Sequence, residues 1–470
     1  MVRTQIIETK DLVGKEVNLF GWVNVRRDQG KIIFIDLRDR SGVVQMVFVK
    51  EVKPQSVERF NLYDLADKLR PEWVIRVKGF VKARPEKMVN PDVPTGKVEI
   101  EPMELEILNE AETSPFPLDT DGYDIDEEVR TKYRYLDLRR QRIQKNIILR
   151  HKTTSLVREF LNKEGFIEIE TPTLTKTSPE GARDFVVPSR FHSGKFYALP
   201  QAPQQYKQLL MIAGFEKYYQ IAHAFRDEDL RGDRQFEHTQ IDMEMSFADE
   251  KDIWSITESM MVNVAESLDK KITQKPFPIF THEEAIKKFG ADKFDLRENK
   301  DDPNELAFAW VTDFPLFEWD KEDKKYVFAH NPFSAPKAEH VEKLMKGKDL
   351  GSLRARQYDL VCNGYELASG GVRISDPKIQ RKIFEIMGLK SEETEERFGH
   401  LINAYKYGAP PHAGIAPGLD RLIMILAGEQ NIREVIAFPV SSKGQTSVMD
   451  APSKVSEKQL KELHIKIAHE

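Results

Sequence analysis

Only one cysteine, Cys362, occurs in 470 residues. A lone thiol excludes an internal disulfide and any zinc site built from several thiolates. Long apolar runs are lacking too. None approaches the roughly 20 residues a membrane-spanning helix needs, and Met1-Val2-Arg3-Thr4-Gln5 opens no apolar secretory segment. The expectation is a cytoplasmic protein with no membrane partner. There is no Gly-x-x-x-x-Gly-Lys-Ser/Thr loop, which argues against a P-loop ATPase. Positive charge is short as well: the formal net charge is −6, so the whole chain is no generic nucleic-acid binder. Residues 1–105 nonetheless carry 19 Lys+Arg against 16 Asp+Glu, a local +3, with Arg26, Arg27, Lys31, Arg38 and Arg40 around one turn. A polyanion could dock there; a solvated loop would look the same.

The chain is 40% hydrophobic and 31% charged, which suits a globular protein, and it is too long for one core. Short strands are predicted at Glu16–Val23, Ile32–Leu37, Val43–Val49, Trp73–Lys82 and Lys97–Ile107, with a helix at Gln55–Leu69. Five strands and a helix suggest a small Greek-key barrel of the OB type. An acidic, polar connector follows at 108–132. A helix then starts at Ile143, with Leu149, Leu156, Val157, Phe160 and Leu161 on its apolar face and Gly165 ending it. The strand Phe166–Thr171 is stopped by Pro172. An antiparallel pattern continues through Phe196–Leu199, Tyr218–Ala224, Gln240–Phe247, Phe308–Phe314 and Tyr358–Leu367, where Cys362 reads as a small buried residue. The fold class is α+β: a barrel, then a mixed, mostly antiparallel sheet flanked by helices. The expected domains are 1–107, a hinge at 108–140, and 141–470.

Two segments carry the chemistry. Phe225–Glu244 reads as a strand, a charged loop and a second strand, with Ile241, Met243 and Met245 facing one way and Asp242 and Glu244 the other. An arginine fixed on such a hairpin suits phosphate, because its planar fork donates two parallel hydrogen bonds. The turn Gly414-Ile415-Ala416-Pro417-Gly418-Leu419-Asp420-Arg421 feeds an apolar helix, where backbone and a fixed cation can approach an anion. Each segment alone also fits a bland reading, a solvated hairpin or an ordinary turn before a helix.

Together they resemble motifs 2 and 3 of class II aminoacyl-tRNA synthetases, and the match narrows to the bacterial aspartyl branch. Tyr133-Arg134-Tyr135-Leu136-Asp137-Leu138-Arg139-Arg140, Ser178-Pro179-Glu180-Gly181-Ala182-Arg183-Asp184 and Asn363-Gly364-Tyr365-Glu366 carry it further, from about Gly21 to Pro452. The resemblance implies a homodimer, through the helix–strand–proline unit ending at Pro172. It implies an enzyme that joins L-aspartate to ATP as an adenylate and transfers it to tRNA(Asp). Charging of tRNA(Asn) as well stays open at this level. Catalysis of that kind needs positioning and charge stabilisation rather than a protein nucleophile.

By the same resemblance, Arg226 clamps the α-phosphate and the incoming carboxylate, and Arg421 holds the far end of the triphosphate. Asp227, Glu228, Gln235, His238, Glu366, Gly418, Leu419 and Asp420 complete the ATP set. His238 stands where the family usually has an adenine-stacking phenylalanine, so weaker or pH-sensitive ATP binding is expected unless Phe236 compensates. Lys207 and Arg373 face the substrate β-carboxylate, and asparagine would leave their charge uncompensated, at about 3–5 kcal/mol. Asp242 and Gln204 serve the α-ammonium side, with Glu180 and His330 close by; Asn331 replaces a second family histidine. Mg2+ bridges the phosphates through Asp359 and Glu366, although seven residues on one strand put the two carboxylates on opposite faces unless a bulge intervenes. Arg27, Phe34 and Gln45 match the anticodon-reading set, and strand alternation turns Phe34 away from Ile33 and Ile35. One departure stands out: the sizeable extra domain usual after a segment like Asp295-Leu296-Arg297 is reduced to a short link near 298–307. An asparaginyl enzyme is the nearest rival, against which Arg373, Lys207 and Gly418–Arg421 argue. A non-catalytic paralogue is the other, disfavoured by Arg226, Glu366 and Arg421.

Overall fold

The computed structural model describes residues 2–50, 57–177, 181–322 and 324–468, and divides into two compact units, Met1–Ile125 and Asp126–Glu470. In the first unit, strands β1 (Glu16–Asp28), β2 (Ile32–Asp39), β3 (Gly42–Val49), β4 (Val74–Ala83) and β5 (Val98–Asn109) close a barrel in the order β1-β2-β3-β5-β4. Helix α1 (Val57–Lys68) lies between β3 and β4. Alternation decides what fills it: Ile33, Ile35 and Leu37 of β2 are fully buried, while Phe34 and Asp36 between them face outward and are half-buried.

The second unit begins with α2 (Glu127–Lys132) and α3 (Arg134–Asp137). The expected hinge at 108–140 therefore divides: the stretch to Ile125 goes with the first unit, and that from Asp126 is built into the second. Charge holds it there. Buried Asp137 accepts from Arg130, Arg134 (2.8 Å) and Arg140 (2.7 Å), and Arg130 also reaches Glu434 at 2.7 Å. Each cation thus has a carboxylate, which a desolvated guanidinium requires.

Helix α4 (Gln141–Lys163) then packs Val157 and Leu161 into the main core. An eight-stranded sheet is formed by β6 (Ile167–Glu168), β7 (Lys217–Phe225), β8 (Glu237–Ser246), β9 (Ile279–Thr281), β10 (Phe308–Thr312), β11 (Gln357–Cys362), β12 (Tyr365–Val372) and β13 (His412–Pro417). Its order is β9-β10-β11-β12-β13-β8-β7-β6, antiparallel except at the two short edge strands. Helices α5 (Gln204–Ile212), α6 (Glu250–Ser267) and α7 (His282–Phe289) fall between strands, and α8 (Leu419–Ala427) follows β13.

The expected single strand Tyr358–Leu367 is instead the hairpin of β11 and β12. It turns at Asn363-Gly364, both with positive φ (51° and 87°), as a tight two-residue β-turn needs. Cys362 is buried at the end of β11. No helix among the described residues is long and apolar enough to cross a membrane.

Candidate active site

Four elements converge on one cavity of about 300 Å3. Helix α5 buries Gln204, Lys207, Gln208 and Met211, spaced at helical intervals, so Gln204 and Lys207 face the sheet. Strand β8 sends Ile241 and Met243 into the hydrophobic core and aims Gln240, Asp242 and Glu244 at the opposite side. This is the alternation expected, and the acidic face is fully buried, which removes the bland reading of a solvated hairpin.

At the buried end, charges meet in pairs. Lys207 contacts Asp242 at 2.6 Å and Glu244 at 3.3 Å, and Arg373 grips Glu244 at 2.8 and 3.2 Å. The two cations expected to await a substrate carboxylate are therefore already balanced by two internal acids, which corrects the uncompensated-charge argument. Burial raises the Asp242 carboxyl above its ordinary range. Burial acts on Glu244 too, but the Arg373 and Lys207 charges outweigh it and hold its carboxyl low. Glu244 was not among the expected site residues, although its alternation with Asp242 pointed there. Gly414 makes room for it: a Cβ on that glycine would fall 1.9 Å from a Glu244 carboxylate oxygen.

Toward the mouth, the loop between β7 and β8 is closed by the Arg226 amide donating to the Phe236 carbonyl at 2.6 Å. Arg226, Glu228, Asp233, Arg234, Gln235 and His238 line the cavity from this side, and Gly418, Asp420 and Arg421 from the start of α8. Asp420 ties the two sides together, accepting from the Thr239 amide at 2.7 Å and pairing with Arg150 of α4. Arg421 donates to the Glu366 carbonyl and pairs with Asp233 at 3.0 Å. Two buried donors in this cavity have no partner among the described residues: Gln235 Nε2 and Arg421 Nε. Such orphans ask for a ligand acceptor.

His238 keeps its position but not its expected behaviour. Burial, with the Arg226 and Arg421 charges, depresses its imidazole to about 3, so the ring is neutral throughout the physiological range and pH-sensitive nucleotide binding does not follow from it. Phe236 does not compensate. Its ring meets Phe185 edge-on at 5.5 Å and abuts Gly444, away from the cavity.

The hairpin geometry also revises the carboxylate pair. Asp359 and Glu366 sit on adjacent strands, with a register shift between Leu360 and Val361, so seven-residue spacing along one strand does not apply. Burial pushes Asp359 up to about 6, and the negative charge of Glu366 adds to it; His330 acts on both carboxylates. Glu366 lines the cavity with His330 and Asn331, whereas Asp359 lies just behind. Carboxylate oxygens of this kind are what a hard divalent ion takes, and of the two only Glu366 faces the cavity.

Of the other expected residues, Gln204, Lys207, Asp242 and Arg373 line the cavity. Asp227 instead bridges to Arg183, and the Leu419 side chain belongs to the hydrophobic core. Glu180 lies outside the described residues. On the barrel, Arg27 stands opposite Phe34 in the β1–β2 register, pairs with Asp36 at 2.8 Å and reaches Gln45 at 3.3 Å, so the three expected anticodon residues share one face.

Residues 126–442 match the class II tRNA synthetase family (D, K and N), and residues 17–108 match an OB-fold nucleic-acid-binding domain. The chain belongs to the class II tRNA synthetases. The aspartate–tRNA ligase of Staphylococcus saprophyticus is 40% identical, with 98% of each chain covered. The aspartate–tRNA(Asp/Asn) ligase of Caldanaerobacter subterraneus is 42% identical over 97% of this chain and 96% of its own. Solved structures of asparaginyl-tRNA synthetase from Pyrococcus horikoshii and aspartyl-tRNA synthetase from Entamoeba histolytica superpose with TM-scores of 0.74 and 0.73. Each covers 93% of this chain, and they cover 98% and 91% of their own lengths. At 22% and 21% identity these two speak for the fold alone.

Proposed function

We propose that the chain is an aspartate–tRNA ligase, which activates L-aspartate with ATP and transfers it to tRNA(Asp). The observation that carries this is the convergence of Arg226 and Arg421 on one cavity whose closed end holds Lys207, Arg373, Asp242 and Glu244. Arg226 orients the substrate α-carboxylate for attack on the α-phosphorus and shares the charge that develops there; Arg421 holds the departing pyrophosphate. Asp359 and Glu366 would hold Mg2+, which neutralises phosphate charge when bound. Gln235 Nε2 offers its unused hydrogen to the nucleotide, and the neutral His238 ring presents a flat face to the base.

Selection of aspartate rests on geometry more than on spare charge. Glu244 fixes the Arg373 fork, Asp242 and Glu244 fix Lys207, and both cations line the cavity where a β-carboxylate would be received. The amide of asparagine would set N–H against N–H. Asp242 and Gln204 accept from the α-ammonium. Phe34 offers an anticodon base a stacking face, read by Arg27 and Gln45. A homodimer is supported by the exposed apolar residues Ile148 on α4, Ile167 on β6 and Leu174 just beyond Pro172. Its place of action is the cytoplasm.

The alignment with the staphylococcal relative spans 585 positions against the 470 residues here, so at least 115 positions (585 less 470) have no counterpart in this chain. We assign that difference to the missing domain near 298–307. The test is ATP–pyrophosphate exchange, expected with L-aspartate and absent with L-asparagine, followed by charging of purified tRNA(Asp) and tRNA(Asn). Exchange that ignores aspartate overturns the proposal.

A further inference from the structure

Outside the residues assigned above, one side chain reaches a cavity-lining carboxylate from the sequence segment beyond α7. Lys293 Nζ lies 2.9 Å from Glu366 Oε2. It comes from the segment between α7 and β10, on the near side of the shortened link. The segment is pinned on both sides of the lysine. Phe294 is buried in an apolar cluster with Phe280, Phe289 and Val361, and its carbonyl accepts from the Gly364 amide at 3.1 Å. Asp295 is locked in a bidentate pair with Arg297, whose closest contact is 2.8 Å. Gly364 sits at the turn of the hairpin that carries Glu366 two residues later, so lysine and carboxylate are mounted on one hydrogen-bonded frame.

A pattern connects this contact to its neighbours. Each of three cations at this end rests on an acid: Arg234 on Glu228 at 2.7 Å, Arg421 on Asp233 at 3.0 Å, and Lys293 on Glu366. A triphosphate with its divalent ion brings both a competing cation for Glu366 and competing anions for the arginines and the lysine. Were the ion to take the carboxylate, the Lys293 ammonium would lose its partner and become available to the phosphate oxygens. An ammonium on a flexible four-carbon stem suits such a swing, because it binds as a point charge without demanding a fixed plane.

We propose that Lys293 is a further triphosphate-binding residue, parked on Glu366 in the free protein and transferred to the β- and γ-phosphate oxygens when the metal–nucleotide complex enters. The inference rests on the ATP site proposed above and deepens it. Calorimetric titration of the full chain with ATP plus Mg2+, and separately with AMP, compares wild type, Lys293→Met and Lys293→Arg. The methionine variant is expected to bind MgATP about tenfold more weakly, as loss of one charge-assisted contact implies. It should bind AMP within about twofold of wild type, and arginine should restore most of the loss. A second readout needs no nucleotide: Mn2+ binding followed by electron paramagnetic resonance should tighten in Lys293→Met, because the ion no longer competes with the ammonium for Glu366. Equal losses for MgATP and AMP would make Lys293 a structural support and overturn the proposal, as would unchanged MgATP and Mn2+ affinities. Failure of wild type to bind ATP at all would instead strike the ATP site itself.

Discussion

Two arginine–carboxylate pairs, one in each unit, use the same chemistry in opposite surroundings. Arg27 meets Asp36 on the barrel face with its side chain 45% exposed, whereas Arg373 meets Glu244 with the two side chains at 2% and 0%. Water already solvates the first pair, so breaking it costs about 0–1 kcal/mol and an incoming anticodon can take the guanidinium over. The second pair has no water to fall back on. Removing either partner strands a buried charge, at about 3–5 kcal/mol. A ligand can therefore replace the outer pair but can only add to the inner one.

The most severe way to break this contrast is to remove Glu244. Glu244→Ala should lower unfolding free energy by about 3–5 kcal/mol in a urea titration, while Asp36→Ala should stay within about 1 kcal/mol of wild type. Comparable losses at the two sites would refute the comparison. Next comes Arg226→Ala, expected to cut the rate of aspartate-dependent pyrophosphate exchange by about 10²–10³ with little change in melting temperature, as for a group that acts on developing charge. On the barrel, Arg27→Ala should weaken tRNA charging, seen mainly as a rise of about tenfold in KM for tRNA, and leave pyrophosphate exchange alone; a matching loss in exchange would count against an anticodon role.

The smallest effect concerns His238. Its imidazole titrates near 3 in the fold against about 6.5 unfolded. The unfolded chain thus binds the extra proton, and stability is lost as pH falls through 6.5. Partial contact with cavity water moderates the figure to about 1 kcal/mol at pH 5.5. His238→Phe should remove that pH dependence, which urea unfolding at pH 7.5 and 5.5 measures. Identical slopes for the two proteins would contradict a neutral buried ring.

Local patterns carried most of the architecture. Period-two alternation in β2 correctly turned Phe34 outward, and the β7–β8 hairpin could be read from its charged loop between apolar runs. Two kinds of information were not local. Asn363-Gly364 has the composition of a tight turn, yet the largely apolar residues on both sides read as one strand, and only the pairing of β11 with β12 separates them. The partners of Lys207 and Arg373 were likewise hidden. Glu244 lies 129 residues before Arg373, and nothing in either neighbourhood says that they meet. Phe236 shows the limit of adjacency: two residues from His238, it packs on Phe185 instead of the base site, because neighbouring strand and loop positions need not share a face.

Cys362, buried one residue before the β11–β12 turn, has a consequence for experiment. Burial holds its thiol protonated well beyond the range where cysteines ordinarily react. A thiol reagent should therefore ignore the native protein and label it only when the large sheet opens at β11, on the hairpin that bears Glu366. The chain carries its own reporter of sheet opening, a one-site clock for how often that hairpin parts from its neighbours.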